Sequence, residues 1–146
     1  MSPSSIDTAI VRRHLLALDQ ALVRLERHAL VPLSIFEADL DLQWSIERGL
    51  LVAIQNVLDV ATHLAASSGR DVRDYTSSID VLADLGVLPR DFAQRLRPMA
   101  GFRNVLVHAY LTLDAVRVHD VLCTKLPELR KFAELVEAHI DGAAKG

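Results

Sequence analysis

The apolar positions Val11, Leu15, Leu18, Leu22, Leu25 and Ala29 recur at alternating steps of four and three, which aligns them as one stripe along a long first helix. Asp7 stands where an N-cap is needed, and Pro32 interrupts the pattern. Ser34-Ile35-Phe36-Glu37 has the capping-box pattern, in which serine and glutamate side chains satisfy free backbone donors, and predicts that a second helix begins there or slightly later. Its stripe runs Leu42, Ile46, Gly49, Ala53, Val57, Val60 and Leu64, flanked by Leu50, Leu51, Ile54, Leu58 and Ala61. That surface is wider than one packing face requires, so the helix is central to the fold or also meets a second subunit.

Ser67-Ser68-Gly69-Arg70-Asp71 supplies turn chemistry, and the stretch through Tyr75 reads as a surface connection. Ser77 or Ser78 can cap a short third helix carrying Ile79, Leu82, Ala83 and Leu85, with Gly86 as its end. Pro89 suits the first position of a fourth helix whose inner stripe is Phe92, Leu96, Met99, Phe102 and Leu106, bent at Pro98. Asp114 can cap the next, with Val118, Val121, Leu122 and Leu126 inward, and Pro127 either kinks it or opens a last helix through Leu129, Phe132, Leu135, Val136 and Ile140. No repeat, glycine-rich phosphate loop or strand-like alternation interrupts this pattern. The expectation is an all-α bundle of five or six helices, forming a single domain over residues 1–146.

Composition supports that class: 51% of residues are apolar and only 5% aromatic, a mixture better suited to helix packing than to a sheet sandwich. The formal charge of −3 argues against coating nucleic acid by bulk electrostatics but leaves room for a local basic site. Arg90, Arg95, Arg97 and Arg103 fall close together in sequence and form either an ordinary solvated face or a nucleic-acid groove. The single cysteine, Cys123, excludes an intrachain disulfide and reads as a small buried hydrophobe. Neither a secretory leader nor an apolar run of membrane-spanning length is expected, which points to a cytoplasmic protein without a membrane partner.

Chemistry concentrates in Gly101-Phe102-Arg103-Asn104-Val105-Leu106-Val107-His108-Ala109-Tyr110. Arginine is permanently charged and suits phosphate, and histidine is the side chain most easily used to move protons near neutral pH. On an ideal helix, however, Arg103 and His108 diverge by roughly 140 degrees. Bringing both to one phosphate requires the helix to end or distort near Val107, or two copies of the stretch to meet across a subunit interface. Asn104 and His108, four apart, share a face, so the amide could orient the imidazole. Asp59 and His63 share a face in the same way and are expected to satisfy each other or to lie beside the site. The bland assignment pairs Arg103 with a carboxylate and buries His108.

The run Leu85-Gly86-Val87-Leu88-Pro89, then Leu96 through Tyr110, then Leu113-Asp114, resembles the HepT-like branch of the HEPN superfamily. Glu47-Arg48-Gly49-Leu50 and Leu58-Asp59-Val60-Ala61-Thr62-His63-Leu64 are similar to that family's second helix, so the likeness covers most of the chain. Arg103, Asn104 and His108 match the family's arginine, polar residue and histidine, with a gap in its usual range, and Tyr110 matches the tyrosine that extends the motif. The resemblance implies an all-helical homodimer acting as a metal-independent endoribonuclease, the toxin of a toxin–antitoxin pair, with no cofactor. It implies catalysis by Arg103 and His108, with Asn104 positioning the histidine or contacting RNA. It further implies a minimal nucleotidyltransferase antitoxin as partner, which silences the toxin by AMPylation of Tyr110. The alternative is a non-catalytic HEPN module that binds a nucleotide or docks beside a nucleotidyltransferase.

Overall fold

The computed structural model describes residues 6–112 and 114–145, and all regular structure among them is helical. The elements are α1 (Thr8–Glu26), α2 (Leu33–Ala38), α3 (Leu40–Ser67), α4 (Tyr75–Asp84), α5 (Arg90–Leu96), α6 (Pro98–Val107), α7 (Ala115–Thr124) and α8 (Leu126–Lys145). The all-α bundle is as expected, with more segments than the sequence pattern indicates. Two breaks explain the difference. Asp39, at φ −116° and ψ 95°, divides α2 from α3 within what the pattern reads as one second helix, and Pro98 sits at the first position of α6, dividing from α5 what the stripe reads as one bent helix.

The helix α3 is the axis of the fold and packs against α1, α2, α4, α6, α7 and α8. Its wide apolar surface is thereby used on several sides, with Ile46, Leu50, Ala53, Ile54, Val57, Leu58, Val60 and Ala61 all buried. By length and composition alone α3 could cross a membrane, contrary to the sequence expectation, although half of its apolar window lies buried among the other helices. Contacts Leu25 to Gly49, His14 to Asn56 and Asp7 to His63 show that α1 runs antiparallel to it. The approach is close at Gly49, where a Cβ would lie 2.9 Å from Leu25 Cδ2. The helix α8 is also antiparallel to α1, and Arg130 reaches both Asp19 and Glu26. These exposed ion pairs add little beside the buried Phe132, Val136 and Ile140.

Asp7 and Asp114 cap α1 and α7 as expected, accepting from Ile10 N and Arg117 N. Gly69 and Gly86, at φ of 80° and 78°, end α3 and α4 in the left-handed conformation that glycine tolerates. Two capping assignments change. Ser34 lies within α2, which has Pro32 at its N-cap and no side-chain cap, so the pattern at Ser34–Glu37 is not a capping box. Asp39 caps α3 instead, accepting from Leu42 N, while buried Gln43 donates to the carbonyls of Phe36 and Glu37 and secures the sharp bend. Asp74, rather than Ser77 or Ser78, caps α4; Ser77 completes a capping box from the N3 position, and those contacts hold the Asp74 carboxyl below its usual range.

Candidate active site

The buried stripe Met99, Ala100, Phe102 and Leu106 fixes the rotation of α6, leaving Arg103 half-buried at the edge that meets α3. Its guanidinium is held from three directions. Nε donates to Gln55 Oε1 at 3.0 Å, Nη1 donates to Asn104 Oδ1 at 3.2 Å, and the group lies 5.7 Å from the centroid of the Tyr75 ring. Gln55 is itself oriented, because its Nε2 donates to Asp59 Oδ1 at 2.8 Å and to Tyr75 Oη at 3.1 Å. With the amide nitrogen so committed, the amide oxygen must face Arg103. Among the described residues no carboxylate lies within ion-pair distance of Arg103, so the carboxylate pairing considered for it is absent.

The other arginines of the sequence cluster differ. Arg90 pairs with Asp84, Arg95 with Asp91 and Arg97 with Asp80. Asp84 and Asp91 are correspondingly held below the ordinary carboxylate range, chiefly by hydrogen bonds from Arg90 and Arg95. The cluster is therefore largely a solvated, neutralised surface, and Arg103 stands apart from it.

The helix α6 ends at Val107, one of the alternatives the sequence geometry left open, and His108 is its C-cap at φ −96° and ψ 11°. The imidazole is exposed rather than buried. Its Nδ1 lies 2.8 Å from the backbone carbonyl of Asn104; since a carbonyl only accepts, Nδ1–H donates and Nε2 carries the lone pair of the neutral ring. The orienting group is thus the Asn104 carbonyl, not its side-chain amide as the spacing suggested. That amide oxygen serves Arg103.

Arg103 lines a groove of about 260 Å³ with Arg48, Leu51, Gln55, Asn56 and Val107. A neighbouring groove of about 510 Å³ holds Trp44, Glu47, Ala109 and Tyr110 and shares Arg48, Leu51 and Val107 with the first. His108 lines neither, so one chain sets the arginine and the histidine on adjoining surfaces instead of on one phosphate. Tyr110, 80% exposed on the turn after α6, and Trp44, 66% exposed on α3, leave a large aromatic surface around the furrow. Desolvation raises the Glu47 carboxyl above its usual range.

Asp59 and His63 do not pair. Asp59 accepts from Gln55, and His63 Nε2 accepts from the backbone N–H of Asp7. Asp59 is nevertheless connected to the site through Gln55, whereas His63 belongs to the start of α1. Cys123 is exposed, its Sγ 3.5 Å from His119 Nε2, and its thiol is pushed up by local desolvation and by Asp120. The residues that sequence reasoning missed are Gln55 and Tyr75. Gln55 was signalled by the polar set Gln55, Asn56 and Asp59 among the apolar positions of α3, whereas Tyr75 carried no such signal.

The model of the ribonuclease HepT-like family matches residues 18–136. This chain belongs to that family. Two HepT-like relatives carry different substrate names: the tRNA nuclease HepT of Aphanizomenon flos-aquae is 22% identical over 94% of this chain and 94% of its own, and the mRNA nuclease HepT of Shewanella oneidensis is 26% identical over 70% and 78%. The tri-AMPylated HEPN toxin of Shewanella oneidensis, solved in complex with its MNT antitoxin, superposes on the HepT-like chain with a TM-score of 0.78 at 22% identity, covering 88% of this chain and 97% of its own. The shared architecture is the HEPN fold. Among the described residues no group of three or more His, Cys, Asp and Glu side chains converges as metal ligands would.

Proposed function

We propose that this chain is the ribonuclease toxin of a toxin–antitoxin pair, cutting RNA as a cytoplasmic homodimer without a metal ion. The observation that carries the reading is the state of the two motif side chains: Arg103 is immobilised by neutral partners with no carboxylate on it, and His108 is fixed in the tautomer that presents Nε2 to solvent. A permanent cation free to take phosphate and an imidazole free to take a proton are the two groups that transesterification of RNA needs.

In this scheme the 2′-hydroxyl attacks the adjacent phosphorus and the 5′-oxygen leaves. His108 Nε2 serves as proton acceptor or, when protonated, as donor to the leaving oxygen. Arg103 stabilises the charge that develops on the phosphoryl oxygens. Because one chain places the two groups on adjoining surfaces, a two-fold axis beside the α6 terminus would set the motif of each copy against that of the other. The exposed Trp44 gives that contact an apolar component.

Tyr110 takes a controlling role. Its exposure leaves the phenolic oxygen accessible to a minimal nucleotidyltransferase antitoxin. There it would attack the α-phosphorus of ATP, pyrophosphate would leave, and the tyrosine would carry AMP beside the furrow. A new anion at that place repels incoming RNA. The reading is supported by family membership, by relatives named as nucleases, and by the solved toxin–antitoxin complex of like fold. The test is incubation of purified protein with total RNA in EDTA, alone and after coexpression with a nucleotidyltransferase partner. Cleavage is expected in the first case, with loss of cleavage and a mass gain of AMP in the second. An inert dimer would leave the reading without its enzyme.

A further inference from the structure

A groove of about 600 Å³ between α1 and α3 plays no part in the chemistry above. Arg24, Arg27 and His28 line it from the C-terminal end of α1, Arg48 lines it from α3, and Gln20 and Ser45 add neutral hydrogen-bonding groups. No aspartate or glutamate lines it. Arg24, Arg27 and Arg48 also lack an ion-pair partner among the described residues, as do Arg13, Arg73, Arg103 and Arg117, whereas Arg12, Arg70, Arg90, Arg95, Arg97 and Arg130 all face carboxylates. In a chain of net charge −3, an unneutralised cluster of this kind is a local concentration of positive potential.

Compensation of the α1 dipole would account for a cation in its last turn. It does not account for Arg48, which sits well inside α3. Arg48 and Val52 line both this groove and the one that holds Arg103, so the basic cluster opens onto the proposed cleavage cleft. The connected lining follows α3 from Ser45 to Asn56, roughly 16 Å at about 1.5 Å per residue. Guanidinium forks suit phosphate oxygens, and a continuous furrow suits a polymer that carries a phosphate at every unit.

We propose that the α1–α3 groove is a track for the backbone of single-stranded RNA, holding phosphates that flank the one to be cut. The proposal rests on the ribonuclease reading of the adjoining cleft. Its test uses the dimer and its Arg24→Gln/Arg27→Gln variant, both exposed positions, with a labelled single-stranded 2′-O-methyl RNA that lacks the attacking hydroxyl. Removing two phosphate contacts is expected to make the slope of log affinity against log salt shallower by about 1.4, and to weaken binding about tenfold near physiological salt. Cleavage of a dinucleotide, too short to reach the groove, should match the parent. Unchanged affinity and slope would overturn the track. Loss of nucleotidyltransferase binding with RNA binding intact would also overturn it, by making the groove a protein-docking surface. If the parent cut no RNA while the variant still lost affinity, the track would stand and the ribonuclease reading alone would fail.

Discussion

Replacing Gln55 by leucine removes one side chain from the furrow and three hydrogen bonds with it: the acceptor for Arg103 Nε at 3.0 Å, and the donors to Asp59 and Tyr75. A hydrogen bond to a charged group contributes about 1.5–3 kcal/mol, and the low end applies here because Gln55 and Arg103 are half-buried and water can replace part of the contact. If the guanidinium must be held still to stabilise the transition state, the loss corresponds to about tenfold to thirtyfold in rate, at about 1.4 kcal/mol per factor of ten. The fall should lie mainly in kcat, since Arg103 keeps its charge and its contacts with Asn104 and the Tyr75 ring. Single-turnover cleavage of a defined RNA reads this directly, with thermal melting as the control for folding. A double-mutant cycle with Arg103→Ala adds the decisive arm: Gln55 acts through Arg103, so its substitution should cost nothing further once the arginine is gone. Parent-like cleavage by Gln55→Leu, or a loss that adds in full to that of Arg103→Ala, would refute the positioning role.

Burial raises the Glu47 carboxyl, so the folded state favours its protonated form; any stability from that preference is present at low pH and lost as pH rises through the folded value. Glu47→Gln should therefore melt higher than the parent at neutral pH, with the difference vanishing in acid, as followed by circular dichroism across pH. Phe132→Ala, at a fully buried position of α8, should cost about 3–5 kcal/mol in denaturant unfolding, while cleavage per folded molecule stays intact because α8 does not reach the furrow. Tyr110→Phe should cleave RNA like the parent yet gain no AMP mass and escape silencing when coexpressed with the nucleotidyltransferase; silencing of that variant to the parental extent would exclude the tyrosine as the switch.

Local chemistry was legible in the sequence wherever the interacting groups are neighbours in the chain. The stripe from Val11 to Leu25, the caps at Asp7 and Asp114, and the glycine terminators of α3 and α4 depend only on spacing and backbone freedom, and all are present. Capping at Ser34 failed because a capping box needs an extended N-cap backbone, and here that conformation is at Pro32, which leaves Ser34 inside the first turn. Asp59 and His63 have permissive spacing, but Gln55 and the free N–H of Asp7 offered better partners. The angular divergence of Arg103 and His108 left a helix ending or distortion near Val107 and a second subunit as alternatives; the ending is present, yet one chain does not bring both side chains into one groove. The contact of Gln55 with Arg103 was not legible, because Gln55 comes from 48 positions earlier and meets Arg103 only once α6 docks on α3.

Arg103 and His108 are proposed to cut RNA without metal. Parent, Arg103→Ala and His108→Ala proteins, matched for melting temperature and dimer content, should be incubated with one RNA in EDTA and the products separated on a gel. Cleavage by the parent, ending in a 2′,3′-cyclic phosphate, with a loss of at least about a hundredfold in each variant, is the expected result. Cleavage undiminished in either variant, or a parent that cuts only when a divalent metal is restored, would contradict it.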